Sequence, residues 1–230
     1  DVCSSDLIIT SEEDMKKRIL SMLLVLTMVL STFMTVALSA SDSKLPFEDV
    51  PDKWYKEAVT YVFEKGFMKG LTNTEFGPER NMTRAQFVTL LSRFAGLTDE
   101  DIKGMSKHMT FADTSATAWY ADYVGWSVQA GLVGGYENNT FRPDNYVSRA
   151  ELAKLMVCFL ESEGITVKAA EPIGEFKDKD TFASWAAEYI EKLRLTGLVQ
   201  GIDGYYKPNN TTTRAEIATI MMRLDKMNHD

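Results

Sequence analysis

The sequence has 230 residues, 25 Lys and Arg against 33 Asp and Glu, and 45% hydrophobic residues, a composition that suits a globular chain and not a disordered one. The net charge of −8 leaves no basic excess to neutralise phosphates, which argues against a nucleic-acid partner. Two Cys and two His leave almost nothing for a zinc site or a Cys–His catalytic pair, so most metalloenzyme and thiol-enzyme readings fall away.

Residues 1–14 precede Met15 and read as upstream read-through, outside any fold. Met15-Lys16-Lys17-Arg18 then opens an uncharged run from Ile19 to Ala40 that ends in Val36-Ala37-Leu38-Ser39-Ala40. A basic start, an apolar middle and a small-residue end are the parts of a secretory signal peptide, here 15–40, which leaves no membrane association after cleavage. An uncleaved anchor is the alternative, because the 22 uncharged residues are enough to span a bilayer. Ser31, Thr32, Thr35 and Ser39 dilute the last third and favour cleavage near Ala40. Without the five acids of 1–14 and the three bases of 15–40, the chain from Ser41 carries −6 over 190 residues. Its one cysteine, Cys158, permits no intrachain disulfide, so stability must come from a core or a partner.

The remainder is one unit written three times, over 41–107, 108–172 and 173–230. Phe47-Glu48-Asp49, Phe111-Ala112-Asp113 and Phe176-Lys177-Asp178 lie 64 and 65 residues apart. Trp54-Tyr55, Trp119-Tyr120 and Trp185-Ala186 follow at spacings of 65 and 66. Then come Gly66 to Gly70, Gly131 to Gly135 and Gly197 to Gly201, and after them Phe76-Gly77-Pro78, Phe141-Arg142-Pro143 and Tyr206-Lys207-Pro208. Thr83-Arg84-Ala85-Gln86, Ser148-Arg149-Ala150-Glu151 and Thr213-Arg214-Ala215-Glu216 close the series.

Each unit is predicted to be helix, loop, helix. Trp54, Ala58, Val59, Val62 and Phe63 recur at helical spacing up to Gly66, where Gly followed by an apolar residue is a helix C-terminal signal. The Gly-, Asn-, Thr- and Pro-rich stretch to Pro78 reads as a loop. The hydroxyl and the Glu or Gln three residues on form a capping box, backed by Phe87, Leu90, Leu91 and Phe94 on one face and by their counterparts in the other units. Units of this size bury little alone, but three sharing a core are self-sufficient.

These five motifs, in this order, resemble the S-layer homology family in its usual arrangement of three tandem modules, over Leu45 to Asp230. The resemblance implies a mainly α fold, a pseudo-threefold helical bundle or spindle. It also implies non-covalent attachment to the bacterial cell wall through secondary cell-wall polysaccharide associated with peptidoglycan, commonly at pyruvylated sugar ends, in grooves between modules to which the repeated Arg contributes. The implied protein is secreted to the cell surface, needs no cofactor and is no enzyme. Two alternatives stay open: the anchoring region of a truncated cell-surface glycoside hydrolase, and a structural surface-layer component that self-associates. Gln86 for Glu, Ser148 for Thr and Ala186 for an aromatic depart from the pattern.

Arg84, Arg149 and Arg214 are the sharpest site candidates. A cation in the first helical turn opposes the helix dipole, so capping alone does not explain it. Free backbone N–H groups beside a guanidinium would make a carboxylate or phosphate site, and removing such an Arg should leave folding nearly unchanged. The competing reading is structural, with each Arg bridging to Asp49, Asp113 or Asp178. Trp54, Trp119 and Trp185 are read as core or wall residues, with stacking on sugar faces as the ligand-binding alternative. Asp49, Asp113 and Asp178 are expected to cap turns, with recognition of sugar hydroxyls as the alternative. Gly70, Gly135 and Gly201 serve turns and would also admit a ligand close to the backbone. Cys158 is expected to be a small buried hydrophobe, and no metal-ligating set is proposed.

Overall fold

The computed structural model describes residues 45–167 and 173–229. The expected signal peptide at 15–40 and residues 1–14 lie outside the described residues. Six helices carry the described fold, two per module: α1 (Lys56–Glu64), α2 (Arg84–Phe94), α3 (Ala121–Gln129), α4 (Arg149–Ser162), α5 (Ser184–Leu195) and α6 (Arg214–His229). The described residues contain isolated bridge pairs but no strand, and no helix among them is long and apolar enough to cross a membrane.

The local signals act as the sequence predicts. Beyond α1, α3 and α5, Gly66, Gly131 and Gly197 take φ near +74° (+74°, +74° and +73°), and the Met68 N–H donates back to the Val62 carbonyl at 3.0 Å. Capping boxes start α2, α4 and α6. The Gln86, Glu151 and Glu216 N–H groups donate to the Thr83, Ser148 and Thr213 hydroxyls, and those three side chains accept from the cap N–H groups in return.

Packing then crosses module boundaries. Helix α2 packs on α3, α4 on α5, and α6 on α1, so the second helix of each module covers the first helix of the next and the third module closes onto the first. Val59, Val62, Leu91, Val124, Met156, Ile190, Leu193, Met221 and Leu224 are all fully buried in one shared core. The same threefold order is written in the backbone. The Met82 N–H donates to the Thr212 carbonyl (3.1 Å), Thr212 to Val147 (3.1 Å) and Val147 to Met82 (3.0 Å), a closed triangle with one residue from each module. All three side chains are buried, and the Thr212 hydroxyl there has no hydrogen-bond partner among the described residues.

The motif spacing follows from the loops. The Asp49 carboxylate accepts from the Phe76 and Gly77 N–H groups at 2.8 and 2.7 Å, Asp113 from Phe141 and Arg142, and Asp178 from Tyr206 and Lys207. Phe47, Phe111 and Phe176 lie against the aromatic rings of the same loops, with centroids 5.4, 5.6 and 5.1 Å apart. Gly70, Gly135 and Gly201 leave room for those rings, because a Cβ added at each would sit 2.4, 2.4 and 2.7 Å from the neighbouring Phe.

Candidate functional site

The helix starts do not offer the free N–H groups that an anion site there would need. Arg84 and Ala85 donate their N–H groups to the Asn145 and Pro143 carbonyls of the next module (2.9 and 3.0 Å). Arg149 and Ala150 do the same to Asn210 and Pro208, and Arg214 and Ala215 to Arg80 and Pro78. The adjoining loop therefore occupies the donors that make a helix N-terminus attractive to anions.

The guanidinium groups follow the same route. Arg84 Nε donates to the Phe141 carbonyl (2.8 Å), Arg149 Nε to that of Tyr206 (2.6 Å) and Arg214 Nε to that of Phe76 (2.8 Å). All three arginines are buried, and each lies against the ring whose carbonyl it holds, at 4.9, 4.9 and 4.7 Å. None bridges to Asp49, Asp113 or Asp178, whose carboxylates hold their own loops. In place of the expected bridges to those aspartates, each arginine contacts the loop of the neighbouring module, a placement that makes its loss expected to weaken the fold and not to be neutral.

The third arginine differs from the other two. Arg84 Nη1 pairs with Glu151 at 3.2 Å and Arg149 Nη1 with Glu216 at 3.6 Å, whereas the repeat puts the uncharged Gln86 at the position that corresponds to those glutamates for Arg214. Arg214 Nη2 donates instead to the Lys69 carbonyl at 2.7 Å, and no ion pair is found for it among the described residues. Burial pushes its pKa down to about 10, against the opposing pull of the Asp49 charge.

Between modules opens a cleft of about 650 Å³. Arg84 of the first module, Gly135, Tyr136, Arg142, Glu151 and Lys154 of the second, and Trp185 of the third line it. Three candidates named from the sequence, Arg84, Gly135 and Trp185, thus meet in one cleft although they belong to three different modules. Tyr136 donates its hydroxyl to Glu151, and Arg142 lies over the Tyr136 ring at 3.9 Å. Burial, reinforced by that hydrogen bond, pushes the Tyr136 phenol up to about 12. Burial also works to raise the Glu151 carboxyl, but hydrogen bonds from Tyr136 and Ser148 and the Arg84 charge outweigh it and hold the group below the usual carboxylate range.

The tryptophans correct the core reading. Trp54, Trp119 and Trp185 are 67%, 60% and 49% exposed, while Tyr55, Tyr120 and Ala186 beside them are buried. Helices α1 and α3 start one residue after those tyrosines, which puts the Tyr and not the Trp in line with the apolar face. Trp54 and Trp119 rest edge-on against the tyrosines, at 5.3 and 5.6 Å. Cys158 is half-buried against the core.

The family profile described as S-layer homology domain matches residues 46–88, 110–153 and 175–218, one match per module. The chain belongs to the S-layer homology family. Among curated relatives, it is similar to the cellulosome-anchoring protein of Acetivibrio thermocellus, 32% identical over 179 residues, which are 77% of this chain and 38% of that protein. It is similar to the S-layer protein sap of Bacillus anthracis, 31% identical over 183 residues, 78% of this chain and 21% of that protein. An endoglucanase of Bacillus sp. (strain KSM-635) is 28% identical over 214 residues, 90% of this chain and 22% of the enzyme. The chain spans well under half the length of each of these three relatives. For an S-layer homology chain, the repeated motif residues identify module boundaries. The residues that distinguish one boundary from another, Tyr136, Arg142 and Lys154, were assigned no role from the sequence, because they stand where the repeat varies.

Proposed function

We infer that this chain anchors protein at the bacterial cell wall by binding secondary cell-wall polysaccharide, through an acidic and commonly pyruvylated sugar end, in the cleft between modules. Cell-surface anchoring itself follows from the family. The 230 residues are largely anchoring module, and the enzymes similar to them share this part. The observation that carries the finer reading is the cleft that assembles Arg84, Gly135 and Trp185, one from each module, around a concave surface of aromatic, cationic and backbone groups. An exposed indole offers a face to a sugar ring, and nearby cations suit an acidic substituent. By the repeat, Arg149 with Gly201 and Trp54, and Arg214 with Gly70 and Trp119, hold corresponding positions at the other two boundaries. Asp49, Asp113 and Asp178 shape the loops that the arginines grip.

Sedimentation with purified Gram-positive sacculi tests this. The chain from Ser41 is expected to pellet with polysaccharide-bearing sacculi and to stay in solution when the polymer has been stripped. Equal pelleting with both would refute the polymer as ligand.

A second reading, that these modules anchor a longer enzyme or scaffold, is favoured by the endoglucanase and the cellulosome-anchoring protein, in which the similar region covers 22% and 38% of the whole. A reading frame that continues past Asp230 into a catalytic domain would support it, and an immediate stop codon would count against it.

A further inference from the structure

We propose that Arg142 and Lys154, two cations that the second module alone combines, are the anion-recognising groups of this chain and confine tight glycan binding to the single cleft between Arg84 and Trp185. The proposal rests on the wall-binding reading and deepens it.

The repeated arginines are committed to holding the modules: each spends its Nε on a carbonyl of the neighbouring module, and Arg214, which has no ion pair among the described residues, spends its Nη2 on the Lys69 carbonyl as well. Arg84 is further neutralised by Glu151. Arg142 and Lys154 are committed to no such partner: neither makes an ion pair among the described residues, and both line the cleft. Arg142 is exposed and holds φ +58°, where the first module has Gly77 at +71°. A side chain kept in the left-handed region at a cost of about 1 kcal/mol, where Gly fits freely, marks a position held for its side chain. Its guanidinium lies on Tyr136, and Lys154 Nζ lies 6.0 Å from the Trp185 ring centroid and 5.9 Å from that of Tyr189. The cleft therefore has two aromatic walls with a cation at each, a setting for a sugar that bears a carboxylate or phosphate.

The other boundaries lack this pair. At the Lys154 position they carry Thr89 and Thr219, whose hydroxyls turn back to donate to the Ala85 and Ala215 carbonyls of their own helices at 2.9 Å. At the Tyr136 position the first module has Leu71, which fills the space over Gly77 so closely that a Cβ there would lie 2.5 Å from its methyl. The third module has Ile202 and Lys207 at the Tyr136 and Arg142 positions, a cation without its phenolic platform.

The test gives the second module the residues of the first, as the double variant Arg142→Gly and Lys154→Thr, with Lys207→Gly as control. Wild type, control and variant are titrated with soluble polysaccharide fragments released from Gram-positive sacculi, and each is sedimented with intact and stripped sacculi. Glycine relieves backbone strain at position 142, so the double variant should keep its melting temperature. Lys154→Gln alone provides a second, milder variant. One fragment bound per wild-type chain, about tenfold weaker binding for each cation removed and an unchanged control are the expected results. If the double variant binds within twofold of wild type, or more than one fragment binds per chain, the proposal is overturned, while a retained difference between intact and stripped sacculi leaves the wall-binding reading standing. Equal pelleting of wild type with intact and stripped sacculi overturns both.

Discussion

Replacing Arg84 with alanine is expected to weaken the fold and not the ligand site alone. Its guanidinium donates to the Phe141 carbonyl at 2.8 Å and pairs with Glu151 at 3.2 Å, and the two side chains are only 7% and 17% exposed. Removing one partner of a buried ion pair costs about 3–5 kcal/mol, because the other charge remains without compensation. A lost hydrogen bond from a charged donor is worth about 1.5–3 kcal/mol, and the two terms overlap since they share one group. Glu151 keeps its hydrogen bonds from Tyr136 and Ser148, so the total belongs near about 3–5 kcal/mol and not at the sum. For a domain of this size each kcal/mol lowers the melting temperature by about 2–4 °C, which predicts a fall of about 6–20 °C. Arg84→Lys should fall between, having charge without the planar fork. Thermal unfolding of the chain from Ser41, followed by circular dichroism, measures it. A cooperative transition within about 2 °C of wild type would refute the claim that the repeated arginines fasten the modules together.

Three further outcomes follow from other contacts. Thr212→Val removes a buried hydroxyl without a partner from the Met82–Val147–Thr212 triangle and should stabilise by about 1–2 kcal/mol in urea unfolding; a loss of stability would show that the hydroxyl is satisfied. Glu151, held below its ordinary value of 4.5, contributes stability that is full above that pH and is lost as the pH falls through its lower folded value. Glu151→Gln should therefore flatten the acid side of the stability profile, and parallel profiles would contradict this. Gly135→Ala would place a methyl 2.4 Å from Phe111 at φ +73° and should cost more than about 1–2 kcal/mol, whereas Gly134→Ala, with open space around it, should be nearly silent in the same melt.

What the sequence discloses and what it hides divide along the range of the interactions. Helix ends and caps were legible because their partners lie within a few residues: Thr83 with Gln86, Ser148 with Glu151, and Gly66 with Phe63. The aspartates could be read as turn caps for a related reason, since a carboxylate with two free oxygens suits a loop that presents adjacent N–H groups. The arginines could not be placed, because their acceptors are backbone carbonyls 57 and 138 residues away, and a carbonyl carries no signature in residue type. The same blindness let the helix N-termini look free for an anion when the next module's loop already occupies them. The Trp-Tyr pair was ambiguous by one residue, and at helical spacing one residue is a 100° rotation, enough to exchange core for solvent. Arg142 and Lys154 depart from the threefold repeat, and a residue type that does not recur carries no signature of the cleft that the fold builds around it.

The central claim, that wall polysaccharide seats in the cleft between modules, is tested most directly by the four tryptophan indole N–H resonances. Trp54, Trp119 and Trp185 are exposed, Trp126 is buried, and only Trp185 lines the cleft. Titration of the isotopically labelled chain with soluble wall-polysaccharide fragments should move the Trp185 resonance in a saturable way and leave Trp119 and Trp126 in place. Saturable movement of Trp54 or Trp119 while Trp185 stays fixed would contradict the account.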